Sequence, residues 1–109
     1  MTKAFAPLAS VTVDESDPPI VVIVGEIDLS NDDEMWRQLE PLTAQGHASR
    51  LDLSEVTFMG LTGLNLLLRL RAALEESGRH LEIVAASRAV RRVADVAGLT
   101  SVLGLSGAS

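Results

Sequence analysis

Residues 50–78 read RLDLSEVTFMGLTGLNLLLRLRAALEESG. The apolar period changes along this stretch. Leu51 and Leu53 alternate with Arg50 and Asp52, so Arg50–Leu53 reads as a strand. Ser54–Met59 reads as a connection. From about Thr62 to Ser77 the spacing is helical, and Gly78 supplies a C-terminal stop. At ~100° per residue, Leu64, Leu67, Leu70 and Leu74 share one side and should face a sheet. Thr62, Asn65, Arg69 and Glu76 share the opposite side, flanked by Leu66, Leu68 and Ala73. The helix opens on Gly60-Leu61-Thr62-Gly63. Two glycines there allow a tight turn and leave Thr62 exposed at the positive end of the helix dipole. Leu61, a large apolar side chain in an exposed turn, suggests a docking patch with Leu66.

Outward from this unit the pattern repeats. Val11 and Val13 flank Thr12, a short edge strand, and Asp14–Pro19 is a turn whose two prolines cannot join a central ladder. Ile20–Val24 is continuously β-branched, the signature of a strand covered on both faces. Gly25–Asp28 leads out of it. Asn31 is a candidate N-cap, with Glu34 completing a partial capping box. Asp32, Asp33 and Glu34 would complement the dipole of a helix over about Asp32–Ala44, bent or shortened by Pro41 and closed near Gly46. Met35, Leu39 and Leu42 are its inner residues, and Trp36 reads as core. Downstream, His80–Ala85 reads as a third inner strand. Ser87 caps a third helix with Val90, Val93, Ala94 and Ala97 inward and Gly98 as its end. Val102, Leu103 and Leu105 form a last short apolar element, a candidate fifth strand. Strands alternating with helices imply right-handed parallel crossovers, and the first two strands should pair antiparallel, which gives a small mixed sheet.

The chain has 109 residues, enough for one domain, which we place at 8–105 with flexible termini at 1–7 and 106–109. It is 47% hydrophobic and 3% aromatic, with a net charge of −6. An acidic chain with so few rings is a poor nucleic-acid binder. No cysteine is present, which removes disulfides, thiolate metal sites and cysteine nucleophiles. No apolar run is long enough to cross a membrane and no signal peptide is visible, so a cytoplasmic location is expected. His47 and His80 are far apart in this reading, and Asp28, Asp32, Asp33 and Glu34 lack the glycine and distal Glu of a calcium loop, so no metal is expected. No nucleophile elbow or phosphate loop occurs, so neither a catalytic role nor a cofactor is expected. Residues 1–34 hold one Lys against eight acids, while residues 69–92 hold six Arg against three acids. The second half, with Arg88, Arg91 and Arg92, is therefore the cationic side, a feature that can steer a partner.

Three elements in order resemble the STAS domain family of anti-sigma factor antagonists over about residues 8–105. Gly25-Glu-Ile-Asp28 with Asn31 is similar to the family's G-E-[IL]-D and first helix. Leu51-Asp-Leu53-Ser54, with Val56 and Phe58, is similar to the strand and loop before its switch site. Met59-Gly-Leu-Thr-Gly-Leu64 stands where the family has an apolar residue and D-S-[ST]-G-[IL]. The resemblance implies an α/β fold: a small mixed β-sheet of four to five strands, with helices packed mainly on one face. It implies a non-enzymatic regulator that binds an anti-sigma factor, usually a GHKL-type serine/threonine kinase, and so releases a sigma factor. Phosphorylation by that kinase, at Thr62 by position, ends binding, and a phosphatase resets the switch. The implied partner-binding residues are Asp28, Ser30 and Asn31 on the first loop, Gly60, Leu61, Thr62 and Gly63 at the turn, and Asn65, Leu66 and Arg69 on the helix. Gly60 and Leu61 depart from the family's Asp and Ser. That departure also suits a non-switching STAS subunit of a larger assembly, such as a lipid-transport ABC complex or a stress-sensing complex.

Overall fold

The computed structural model describes residues 9–44 and 49–105. The elements are β1 (Ala9–Asp14), β2 (Ile20–Ile27), α1 (Asp32–Ala44), β3 (Arg50–Met59), α2 (Leu61–Glu76), β4 (Glu82–Ala86) and α3 (Arg88–Val96). They form one four-stranded sheet in sequence order, β1-β2-β3-β4. The β1–β2 pair is antiparallel, and β2–β3 and β3–β4 are parallel. Both parallel connections step the same way across the sheet. Right-handed crossovers then place α1 and α2 on one face, where α2 packs between α1 and α3.

That face holds the core. Val21, Ile23 and Ile27 of β2 and Leu51, Leu53, Val56 and Met59 of β3 are buried. Leu64, Leu67, Leu70 and Leu74 of α2 meet them, and so do Met35 and Leu39 of α1 and Val90 and Ala94 of α3. Each large aliphatic side chain buried this way contributes about 1.5–3 kcal/mol of transfer free energy. The inward stripe expected on α2 is thus observed. Leu66 is buried as well, against the α1 side.

Several expectations need correction. The β-branched run of β2 is covered on one face only: Val24 is 36% exposed and Val22 half-buried. Val22 lies between Thr12 and Asp52, and Val24 between Ser10 and Glu55, a polar outer rank fit for water. Ser54–Met59 continues β3 instead of forming a connection. The strand carries two extra residues relative to β2, at register shifts opposite Val22/Val24 and Gly25/Glu26. These bulges re-phase it, so buried residues recur at 51, 53, 56 and 59, a spacing that hides the strand from a search for alternation. The strand expected at His80–Ala85 is Glu82–Ala86, and it is an edge strand, not an inner one. Ala97 is exposed and caps the end of α3 instead of joining its inner stripe.

No fifth strand forms among the described residues. Leu103 N–H donates to Leu99 O at 3.0 Å and Leu105 N–H to Thr100 O at 2.8 Å, a helical turn that buries Leu103 and Leu105 and exposes Val102. The Thr100 hydroxyl is buried in this turn without a hydrogen-bond partner. A buried unpaired hydroxyl costs about 1–3 kcal/mol, and valine has the same shape without it. Thr100→Val should therefore raise the unfolding free energy by about 1 kcal/mol, seen as a higher urea midpoint at unchanged slope.

α2 ends as its sequence indicates. Gly78 has φ +75, Gly78 N–H donates to Glu75 O at 3.0 Å and Arg79 N–H to Leu74 O at 2.9 Å. This is a Schellman closure, which needs a left-handed residue after the cap. The expected end of α1 at Gly46, and the termini at 1–7 and 106–109, lie outside the described residues.

Candidate functional site

The carboxyl ends of β2 and β3 lie side by side, each followed by a helix start. Function concentrates at this edge in parallel sheets. Gly60 N–H donates to Ile27 O at 3.0 Å and ties the two ends together.

The loop after β2 is built by its own side chains. Asp28 Oδ1 accepts from the Ser30 hydroxyl at 2.8 Å and from Ser30 N–H at 3.0 Å. These two bonds, the hydroxyl's first, hold the Asp28 carboxyl below its ordinary range. Their contribution to the loop is complete above the usual aspartate range and is lost as pH falls through the lowered value. The carboxylate is accordingly ionised at neutral pH. Asn31 stands at the cap position of α1, since Met35 N–H donates to Asn31 O at 2.9 Å. Its side chain turns backward, accepting from Asp28 N–H at 3.0 Å and donating from Nδ2 to Glu26 O at 2.6 Å. The expected capping box is absent: Glu34 engages Arg37 and Gln38 instead. Asn31 shapes the loop and leaves the first turn of α1 to its acids.

The two glycines of the turn are unlike. Gly60 has φ −88 and ψ −179, extended backbone open to any residue, and a Cβ there would meet Asp28 Cβ at an ordinary 3.5 Å. Gly60 is therefore not demanded by the turn, contrary to the sequence reading. A Cβ on Gly63 would stand 2.8 Å from Met59 Cγ, 3.0 Å from Ile27 O and 3.1 Å from Ile27 Cγ2. Gly63 is what lets α2 sit down on the end of β2.

Thr62 is the second residue of α2 and is half-buried, not fully exposed as the sequence reading expects. With Asp32, Asn65, Leu66 and Arg69 it lines a cavity of about 70 Å³ between α1 and α2. The Arg69 guanidinium lies over the Trp36 ring, 4.1 Å from its centroid. This cation–π contact fixes a cation at the cavity rim, and Arg69 makes no ion pair among the described residues. Leu61, which precedes Thr62 in the turn, is 64% exposed.

The structure brings the sequence-singled residues together in two groups, the loop after β2 beside Gly60 and the α1–α2 cavity. Asp28 lies where a Cβ on Gly60 would meet it, and Thr62, Asn65, Leu66 and Arg69 share the cavity; Gly63 and Leu66 are buried, so Leu66 does not join Leu61 in an exposed patch as the sequence reading expects. Two members were missed. Asp32 reads in the sequence only as helix-start charge and Trp36 only as core; Trp36 does pack half-buried against the core, and its ring also lies under Arg69. Their i,i+4 spacing on α1 was the available signal. Among the described residues no group of three side chains suits a metal, and His47 lies outside them. No helix among them is long and apolar enough to cross a membrane.

With this geometry in view, the comparisons with known proteins are informative. A family model described as "Mlab, STAS domain" matches residues 11–105. The anti-sigma-B factor antagonist of Bacillus subtilis (strain 168) is 30% identical over 101 residues, covering 92% of this chain and 93% of that protein. The anti-sigma-B factor antagonist of Staphylococcus epidermidis is 29% identical over 93 residues, 84% of this chain and 86% of that one. The crystal structure of an anti-sigma factor antagonist from Mycobacterium paratuberculosis superposes with a TM-score of 0.71 at 27% identity, covering 87% of this chain and 82% of that one.

Proposed function

We propose a function from one premise: this chain belongs to the STAS domain family, and its relatives are anti-sigma factor antagonists. It is an anti-sigma factor antagonist. It acts without catalysis of its own, in the cytoplasm, by binding an anti-sigma factor kinase of the GHKL type and so freeing a sigma factor. The observation that carries this reading is the place of Thr62, at the start of α2 on a cavity rimmed by Arg69 and next to exposed Leu61. Asp28, Ser30 and Asn31 complete the docking face from the neighbouring loop.

The same hydroxyl is the switch. Thr62 Oγ1 forms the new bond to the γ-phosphorus of the kinase's ATP, its proton passes to a base on the kinase, and ADP leaves. The phosphoryl group brings about −1.5 to −2 charges. The start of α2 tolerates it, whereas a partner seated beside the Asp28 and Asp32 carboxylates does not. A phosphatase restores the hydroxyl.

A second reading, a non-switching STAS subunit of a larger assembly, is favoured by Gly60. Nothing in the backbone requires glycine there, so the family's acid is missing without a steric cause. One experiment separates the two. The full chain is incubated with each purified GHKL anti-sigma factor of its own organism and ATP, and the products are read by mass spectrometry. One added phosphoryl on Thr62 is expected. Stable binding with no phosphate would remove the switch and keep the antagonist, and no binding at all would remove the antagonist and leave the subunit of a larger assembly.

A further inference from the structure

On the other side of Leu61 the molecule has a second concave surface. Phe58 and Leu61 at the β3–α2 turn face Ala89, Arg92, Val93 and Val96 of α3 across an open groove of about 540 Å³. Val96 is 81% exposed and Phe58 48%. Of six large apolar side chains left exposed among the described residues, three stand in this groove. Such clustering marks an interaction site, unlike scattered exposed aliphatics. The lining is nearly all hydrocarbon. A small-molecule site would carry several converging polar groups, and here the lining offers only Arg92 as a charge.

The α3 side of the rim is cationic, whereas the β2 side carries Glu26, paired across from Phe58, and Asp28, beside Gly60. Arg88 precedes Arg92 by one turn on the same side of α3, both are exposed, and neither makes an ion pair among the described residues. The protein as a whole carries −6. With cations on the α3 side only, the groove favours a partner helix whose acidic side chains turn toward α3, and the net charge opposes a second copy of this chain. Leu61 and Gly60 belong both to this groove and to the turn that presents Thr62, so one partner can cover the two without a break.

We propose that this groove seats an amphipathic helix of the anti-sigma factor, its apolar stripe on Phe58, Leu61 and Val96 and its acidic side chains against Arg92 and Arg88. The proposal rests on the antagonist reading and extends the contact surface from α2 to α3.

The test is titration calorimetry of the full chain against the purified GHKL anti-sigma factors of its organism. The arms are unaltered protein, Val96→Asp, Arg92→Glu and Thr62→Glu, with circular dichroism to verify folding. Val96 and Arg92 are exposed, so both groove variants should fold. Each is expected to weaken binding tenfold or more, and the Arg92→Glu loss should shrink as salt is raised. Weakening by Thr62→Glu alone would overturn the groove and leave the antagonist reading standing. Weakening by Val96→Asp without Arg92→Glu would overturn the acidic helix. If no anti-sigma factor binds the unaltered chain, both fall together. Sedimentation of the chain alone supplies the remaining outcome: a dimer abolished by Val96→Asp would give the groove to a second copy and overturn the proposal.

Discussion

Gly63→Val is expected to lower the unfolding free energy by about 3 kcal/mol or more, with Gly63→Ala at about 1–2 kcal/mol. The added Cβ meets three atoms that differ in how far they can yield. Met59 Cγ, at 2.8 Å, belongs to a flexible side chain, but it is buried in the core with little room. Ile27 O, at 3.0 Å, is backbone, and it already accepts the Gly60 N–H that joins the ends of β2 and β3. Relief would mean lifting α2 off the sheet at the edge that carries the site. Alanine gains about 1 kcal/mol over glycine in helix propensity, which offsets part of its strain. Valine lacks that compensation and adds two methyl groups to the clash. Gly60→Ser is the control. Its Cβ finds ordinary contacts and its hydroxyl stands at the N-cap, so it should stay within about 0.5 kcal/mol of the parent. Urea unfolding followed by circular dichroism measures all three. A Gly63→Val protein as stable as Gly60→Ser would show that the close approach does not constrain the fold.

This contrast also marks how far the sequence can be read. The pair of glycines was visible, but which one the backbone needs depends on Ile27, a residue 36 positions earlier that only the parallel β2–β3 pairing brings near. The helices were the most legible part: the stripe 64-67-70-74 and the stop at Gly78 are local periodicities that the tertiary structure keeps. Strand β3 was half legible, because its bulges replace the period of two with steps of three. The run in β2 misled because five consecutive β-branched residues look alike whether one face or both are covered. The deciding signal lay in the neighbours Ser10, Thr12 and Asp52, whose polar side chains already announced a wet outer face. Asn31 shows the limit of cap rules. The same side-chain oxygen that caps helices can serve a preceding loop, and here Asp28 N–H claims it. The Thr62 line on α2 is legible from the wheel alone, whereas the α3 side of the docking surface needs two elements 31 residues apart in the chain to meet, as Phe58 and Ala89 do across the groove.

Thr62→Glu is expected to weaken the complex with the anti-sigma factor by about a hundredfold or more, close to 3 kcal/mol, while leaving the isolated protein as stable as before. The two halves of this expectation share one cause. At the second position of α2 a negative charge faces unpaired N–H groups and a favourable dipole, so the free molecule accepts it. In the proposed complex the same charge would be stripped of water beside Asp32 on the cavity wall, with the ionised Asp28, whose carboxyl the Ser30 bonds keep deprotonated, on the neighbouring loop by Gly60. Arg69 offsets some of the repulsion, but Trp36 already occupies one face of its guanidinium. Thr62→Ala should bind like the parent and take up no phosphate, and Thr62→Gln separates charge from bulk: binding close to the parent assigns the loss to charge. The molecule carries its own probe for these titrations. Trp36 is its single tryptophan, half-buried beside the cavity under Arg69, so its emission should shift as the partner covers the cavity. Raising ionic strength should narrow the gap between Thr62→Glu and the parent only slightly, since charges stripped of water are screened much less than exposed ones. Equal affinities for the Glu variant and the parent at low salt would mean that the partner does not cover Thr62, and the switch would have to lie elsewhere on the molecule.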